Sequence, residues 1–328
     1  MIERMYLHSS SGAVGVDKIL HSPFEIVILS GAISGEREVS LRSGRNMEKY
    51  LSKNYSVRLI ELAHNELPDG IDHKRSLIFP MVHGDFGEDG QLQVMLDRGD
   101  YVYIGSGPKA MQLTVDKSKT KEWLQNFSIP VFPEVLFEKD EHKRFSFKKV
   151  CSELATDALF LKPRNKGSSI HCHKICCEAE WNKWVRPIFS GQWMLEPLGE
   201  GKDLTIGVLH GNPLSIVLAI PRGEFLDYRA KYCVGHVQHI FPAPLEDGLR
   251  DRIFQLSRTI FSACNCKDWA RIDFILGPAQ QIYFLEINTI PGFTKTSFYP
   301  DSAIGAGMKV EDLVCKIVSP ALARLISQ

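Results

Sequence analysis

At 328 residues the chain exceeds the usual size of a single core, so two or three domains are expected. Its 39 Lys and Arg balance 39 Asp and Glu, which excludes the charge footprint of a nucleic-acid binder or a polybasic membrane anchor and leaves small molecules as the expected partners. No stretch nears the roughly 20 continuous apolar residues that span a bilayer, and the eight scattered cysteines, with no secretion signal, are expected as reduced thiols in the cytoplasm.

Residues 1–22 carry a Ser-Ser-Ser-Gly run and scattered charges without an apolar core before a cleavage site, so they read as an N-terminal extension rather than a signal peptide. Residues 24–29 (FEIVIL) then predict a strand, Ser30 to Gly35 a glycine turn, and Val39 to Leu51 a helix. Strand, turn and helix in that order form the first unit of a doubly wound α/β domain. The turn lacks GxGxxG spacing, so a dinucleotide site has little support. Runs at 57–62, 76–81 and 101–104 are expected as further strands of a mostly parallel sheet. Between the last two lies His83–Gly90, a loop with three glycines in eight residues, followed by a helix starting at Gln91. Loops at the carboxyl ends of parallel strands are where such folds bind ligands, which makes His83 and Glu88 site candidates.

A first boundary falls near Val115, giving an N-terminal domain of residues 23–115. Asp116-Lys117 opens a helix at 118–127 that a prolyl connector, Ile129 to Pro133, closes. A second helix is expected at 145–154, then a strand at 158–163 that carries Lys162 into Lys166-Gly167-Ser168-Ser169. Small flexible residues beside a strand lysine offer N–H groups and hydroxyls to phosphate oxygens, although turn formers in a hairpin explain the same letters. No GxxxxGK[ST] occurs, so a P-loop is excluded. The metal-like His171 to Cys177 segment lacks the second half of a zinc pattern and reads as strand residues with small buried thiols.

Residues 193–196 form a strand leading into the bent linker Pro197 to Gly201, where Glu196 can meet an exocyclic amine and linker backbone can read the rest of a base. Strands at 203–209 and 215–220 precede Asp227 to Tyr232, an aromatic and cationic loop. An amphipathic helix at 249–264 is expected to pack on the following hairpin, and residues 311–326 form another helix.

That hairpin comprises 272–276 and 282–287 around a Gly-Pro turn. Strand alternation puts Arg271, Asp273 and Ile275 on one face and Phe284, Glu286 and Asn288 on one face of the partner. If the two faces coincide, an arginine and three oxygen ligands converge. Carboxylates buried there without compensation cost several kcal/mol each. Hard oxygens without sulfur or imidazole favour magnesium over zinc, and magnesium fills its shell with substrate phosphates. On the hairpin alone, an ordinary ion pair on a half-exposed sheet is the more economical reading.

The order of motifs is more specific than any one of them. Gly35 to Ser40, His83 to Gly90, Lys162-Pro163 with Gly167-Ser168-Ser169, Asp227 to Tyr232, and Arg271 through Pro300 together resemble the D-alanine–D-alanine ligases, over nearly everything after residue 23. The resemblance implies an α/β architecture of three domains: an N-terminal doubly wound parallel sheet (23–115), then two ATP-grasp subdomains of α+β character, 116–195 with a lid loop and 196–328 with the magnesium and substrate site. It also implies a cytoplasmic homodimer that joins two D-alanines for peptidoglycan synthesis, using ATP and two magnesium ions, with manganese able to substitute. A carboxylate is a poor electrophile at neutral pH, so the first D-alanine is converted to an acyl phosphate that the second amine attacks.

Residue by residue, the resemblance gives Asp273, Glu286 and Asn288 as metal ligands, with Glu286 bridging two ions. Lys117 and Lys162 fall on the nucleotide phosphates and Lys231 near the transferred phosphate. Arg271 stabilises the oxyanion. Glu36, Ser168 and Tyr232 form a hydrogen-bonded trio, with Glu36 also facing the first substrate's ammonium and His83 its carboxylate. Gly292 and Ser297 hold the second D-alanine. Glu196, Pro197 and Gly199 match the adenine linker, and Asp203 stands where the family often has a ribose-binding glutamate. Two departures stand out. His171 replaces a glycine in the lid, where a side chain strongly disfavours positive φ and adds either bulk or a cation near phosphate. Phe298 replaces a leucine or methionine beside the acceptor site, which narrows that pocket or shifts its preference. Alternatives are a same-scaffold ligase with another D-amino or D-hydroxy acid as acceptor, which the presence of Tyr232 disfavours for D-lactate, and a non-catalytic ATP-binding protein.

Overall fold

The computed structural model describes residues 23–138, 141, 144–188, 190–223 and 235–328. Its first sheet is three-stranded and parallel, in the order β2-β1-β3, from β1 (Glu25–Gly31), β2 (Ser56–Leu62) and β3 (Ser76–Pro80). The near-continuous apolar run of β1 follows from cover on both faces, as parallel sheets require. Val27, Leu29 and Ile78 face Leu92 and Leu96 of α2 (Gln91–Arg98). Ile26, Ile28, Leu77 and Phe79 face Met47 and Leu51 of α1 (Arg37–Leu51), together with Leu313, Val314, Ile317 and Val318 from far along the sequence. The expected strand at 101–104 is reduced to a single bridge, Tyr103 to Ile78.

Two short helices, α3 (Pro108–Val115) and α4 (Lys117–Gln125), lead out of this domain. Asp116 caps α4 by accepting from the Lys119 N–H at 3.2 Å. A four-stranded antiparallel sheet follows, in the order β4-β7-β5-β6: β4 (Val135–Glu138), β5 (Leu159–Pro163), β6 (His173–Ile175) and β7 (Gln192–Pro197), covered by α5 (Phe147–Glu153) and α6 (Glu178–Trp184). Next comes a five-stranded antiparallel sheet, β10-β9-β8-β11-β12, built from β8 (Lys202–Leu209), β9 (Asn212–Pro221), β10 (Val237–Ile240), β11 (Trp269–Leu276) and β12 (Ile282–Asn288). Ile253 and Ile260 of α7 (Asp247–Ala263) pack against Ala270, Ile272, Phe274 and Phe284, as expected of a helix lying on the hairpin.

Helices α8 (Phe298–Gly305) and α9 (Val310–Ile326) complete the described fold. α8 has no polar stripe because most of it is enclosed: Phe298, Tyr299, Pro300, Ser302 and Ala303 are buried, and its exposed residue is the apolar Ile304. It lies so close to β8 that a Cβ at Gly207 would come within 3.0 Å of Tyr299 and 3.1 Å of the Ser302 hydroxyl. α9 returns to the first sheet and supplies Leu313 to Val318 of its core. Between the two ends of the molecule stands Trp269, almost fully buried, edge-on to Phe79 of β3 at 5.7 Å and to Tyr299 of α8 at 5.1 Å. Trp269→Ala removes this joint and is expected to destabilise the fold by about 3–5 kcal/mol, measured as a lowered urea midpoint by far-ultraviolet circular dichroism.

Candidate active site

The five-stranded sheet sets the geometry. Arg271 pairs with Asn288 and Asp273 with Glu286 across the β11–β12 ladder, so the two polar faces coincide. Arg271 chelates Asp273 through two bonds of 2.9 Å, and its guanidinium lies 3.9 Å from Glu286. Thr205 of β8 also donates to Asp273, at 2.5 Å. Between Asp273 and Phe274 the register shifts, and Phe274 pairs with Phe284. This bulge corrects the strict alternation expected for β12. Phe284 points into the core against Phe274, at 6.4 Å between ring centroids, rather than sharing a face with Glu286. Leu285 takes its place beside Glu286 on the site.

Two adjoining cavities meet at Glu286. The larger, of about 620 Å³, lies between the two antiparallel sheets. Phe132, Phe160, Ile275 and Leu285 give it apolar walls, and Lys162, Glu196 and Asp203 are among its polar ones. The smaller, of about 70 Å³, is enclosed by Glu36, His83, Ser168, Arg271, Gly292 and Ser297. Lys117, Lys166, Glu286 and Phe298 line both. Lys117 lies 3.5 Å from Glu286 and donates to the Lys166 carbonyl at 2.6 Å, tying the floor to the lid.

The loop after β5 closes over the smaller cavity. Ser168 donates to Glu36, which is buried at the start of α1, and Lys166 pairs with Asp85 of the first domain. A Cβ at Gly167 would come 3.0 Å from the Glu36 carboxylate, so the lid approaches as closely as glycine allows. Ser168, Ser169 and His171 all adopt positive φ, at 54°, 54° and 59°. The side chain of His171 thus does not prevent the left-handed conformation, which costs an L-residue about 1–2 kcal/mol. It stands exposed, while Cys172 lines the larger cavity. β6 begins only at His173, so His171 and His173 share no strand face; His173 instead stacks on Trp184 at 3.7 Å. His83 lies 3.2 Å from the Ser43 hydroxyl and 3.5 Å from Glu88. Ser297 accepts from the Thr294 N–H at 2.8 Å, and Asn288 from the Ile290 N–H at 3.0 Å. Lys231 and Tyr232, with the rest of the loop from Asp227, lie outside the described residues.

Glu196 and Lys162 belong to a cluster of four charges whose other two members, Lys121 and the partly exposed Glu134, are absent from the sequence-based set. The Glu196 carboxylate pairs with Lys162 at 2.5 Å and with Lys121 at 2.6 Å, and Lys121 also holds Glu134, which accepts from Ser118 at 2.5 Å. Burial works against both charges. For Glu196 it is outweighed by Lys162 and Lys121, which hold its carboxyl below the usual range; for Lys162 it is outweighed by Glu196, which holds its ammonium above its own. Lys121 is one helical turn beyond Lys117, and that spacing was the only signal available for it. Lys166–Asp85 and Thr205–Asp273 were likewise missed, because each joins residues remote in sequence.

Antiparallel sheets clasping an apolar cavity, with buried lysines on one wall and paired carboxylates on the other, define the ATP-grasp class of fold. The family model described as "D-ala D-ala ligase C-terminus" matches residues 123–319. The D-alanine–D-alanine ligase of Syntrophotalea carbinolica is 34% identical over 307 residues, covering 92% of this chain and 97% of that protein. That of Pseudothermotoga lettingae is 35% identical over 306 residues, covering 91% and 99%. Among solved structures, the Bacillus anthracis ligase superposes with a TM-score of 0.79 at 25% identity, covering 93% of this chain and 99% of that one. Its complex with ATP gives 0.78 at 24%, covering the same shares. The chain belongs to the D-alanine–D-alanine ligase family.

Glu196 gains stability from its depressed pKa only above its unfolded value of about 4.3, and Lys162 from its raised one only below about 10.4. The stability difference between wild type and Glu196→Gln is therefore expected to be flat from about pH 5 to 10, and to shrink as acid protonates Glu196 below about pH 4. Urea titrations across that range measure it.

Proposed function

We propose that the chain joins two D-alanines to D-alanyl-D-alanine at the expense of ATP, for peptidoglycan synthesis, as a cytoplasmic homodimer. The observation that carries this reading is Glu286 at the shared wall of the two cavities, within reach of Arg271 and Lys117. A nucleotide in the larger cavity would direct its terminal phosphate toward a carboxylate in the smaller one. Family membership supports the same reading, since the relatives named above are D-alanine–D-alanine ligases.

The residues divide the work by chemistry. Pro197 and Gly199, on the linker beside buried Glu196, suit a base, and Asp203 a ribose. Lys117 and Lys162 supply positive charge for phosphates, a part also assigned to Lys231. Asp273, Glu286 and Asn288 would hold magnesium. The fit is chemical: all are hard oxygen donors, and the two carboxylates already stand opposite each other with Arg271 and Lys117 as their cations. Bound there, magnesium neutralises phosphate charge and aligns the transferred group.

Glu36 and His83 would orient the first D-alanine by its ammonium and carboxylate. A carboxylate oxygen of that substrate attacks the γ-phosphorus, ADP leaves, and an acyl phosphate remains. Gly292 and Ser297 would hold the second D-alanine so that its amine, having lost a proton, attacks the acyl carbon. Arg271 is placed to stabilise the resulting oxyanion before phosphate departs and the amide forms. The Ser168–Glu36 contact keeps the lid closed and limits hydrolysis of the acyl phosphate, a part in which the family resemblance also casts Tyr232.

Phosphate release from ATP and magnesium is expected only when D-alanine is present, with the dipeptide identified by mass; ATP turnover without dipeptide overturns the reading. Arg271→Ala is expected to lower kcat by about 10²–10³ while calorimetry shows nucleotide affinity largely kept.

A further inference from the structure

Phe298, the family departure that lines both cavities, has a built support behind it. Its ring is 8% exposed and packs among Val217 and Ala219 of β9, with Val237 and Phe241 at the margin. On the side of β10 it stacks on His239, with centroids 4.3 Å apart and planes inclined by 29°. His239 is fixed in turn. Its Nδ1 lies 2.6 Å from the Asp301 carboxylate, both side chains being largely buried, at 12% and 18% exposure. An ionised carboxylate only accepts, so Nδ1 carries the hydrogen and donates it. Asp301 belongs to the first turn of α8, the helix that Phe298 itself opens. The chain Asp301–His239–Phe298 thus leaves α8, crosses to β10 and returns to α8, clamping an aromatic ring between two elements.

The clamped ring is part of the wall where the smaller cavity meets the larger one, and Ser297, assigned above to the acceptor, is its neighbour in sequence. A ring free to swing away would enlarge the acceptor space toward the nucleotide. We propose that His239, held by Asp301, is a positioning residue for acceptor selectivity: it fixes Phe298 so that the acceptor subsite takes the methyl of D-alanine and rejects larger D-amino acid side chains. The proposal rests on the dipeptide-ligase reading and adds to it the element that sets acceptor size.

The test compares wild type with His239→Ala, Asp301→Asn, Phe298→Leu and the double variant His239→Ala/Phe298→Leu. Acceptors are D-alanine and D-2-aminobutyrate, one methylene larger, with products identified by mass. One methylene in a fitted pocket is worth roughly tenfold or more in discrimination. His239→Ala is expected to raise the KM for acceptor D-alanine and to shift the kcat/KM ratio toward D-2-aminobutyrate by about tenfold, leaving the KM for ATP within about twofold. Asp301→Asn, which preserves size and the helix, is expected to move the ratio in the same direction. Because His239 acts through the ring, the double variant is expected to be no less selective than Phe298→Leu alone.

Selectivity unmoved in both His239→Ala and Asp301→Asn, with wild-type dipeptide synthesis intact, overturns the proposal and leaves the ligase reading standing. So does an equal shift from His239→Ala in the presence and absence of Phe298. A wild-type protein that forms no dipeptide from either acceptor overturns the ligase reading and the proposal together.

Discussion

The register of β11 against β12 is the constraint on which the site depends. Pairing Asp273 with Glu286 puts two carboxylates side by side, a repulsive arrangement unless cations are close. Arg271 and Lys117 answer it, and each comes from an element that does further service. Arg271 shares β11 with Asp273, and Lys117 begins the helix that carries Lys121 to Glu196. The bulge at Phe274 serves the same end from the other side. It turns Phe284 into the core and frees Leu285 and Glu286 together for the cavity wall. A regular ladder would have placed an apolar side chain in the core only by withdrawing a polar one from the site.

The remaining groups are brought to that ladder by three kinds of contact. Buried ion pairs fix the nucleotide side, where Lys121, Lys162 and Glu196 are all sequestered from water and each is costly to leave alone. Short polar contacts fix the lid, through Ser168 on Glu36 and Lys166 on Asp85. The first is buried and the second half-exposed, so of these two the Ser168 contact is the stronger anchor. Aromatic packing fixes the joint between the first sheet and α8 through Trp269. An enzyme of this kind has to open for substrates and hold firm for chemistry. Its firm parts are the apolar and buried ones, and among the described residues its lid is held through Ser168 on Glu36 and through the Lys166 carbonyl on Lys117.

Much of this was legible in the sequence where local periodicity governs. Alternation put Arg271 with Asp273, and Glu286 with Asn288, on shared strand faces, which the ladder then brings together, and helical spacing placed α7 on the hairpin. Alternation failed at Phe284 because a bulge leaves no trace in an apolar run such as Ile282 to Ile287. α8 escaped notice for a related reason, since a mostly buried helix whose exposed residue, Ile304, is itself apolar has no polar stripe to give a period. Short β4 offered too few residues for any pattern, whereas β6 lies inside the His171 to Cys177 segment that reads as strand. The Lys121–Glu196 and Lys166–Asp85 pairs were illegible in principle, because only the fold brings their partners within reach. His171 is the converse case. Its residue type spoke against a left-handed backbone, yet the loop around it imposes one, with Ser168 and Ser169 under the same demand.

The return of α9 to the first sheet has a consequence for biosynthesis. One face of β1 and β3 is covered in part by Leu313 to Val318, about 235 residues after β3 is complete. At translation rates of about 5–20 residues per second, that face waits on the order of ten to fifty seconds for its cover. The first domain to emerge from the ribosome is therefore the last to finish folding. Until then Ile26, Ile28, Leu77 and Phe79 have Met47 and Leu51 of α1 for cover but lack the share that α9 supplies.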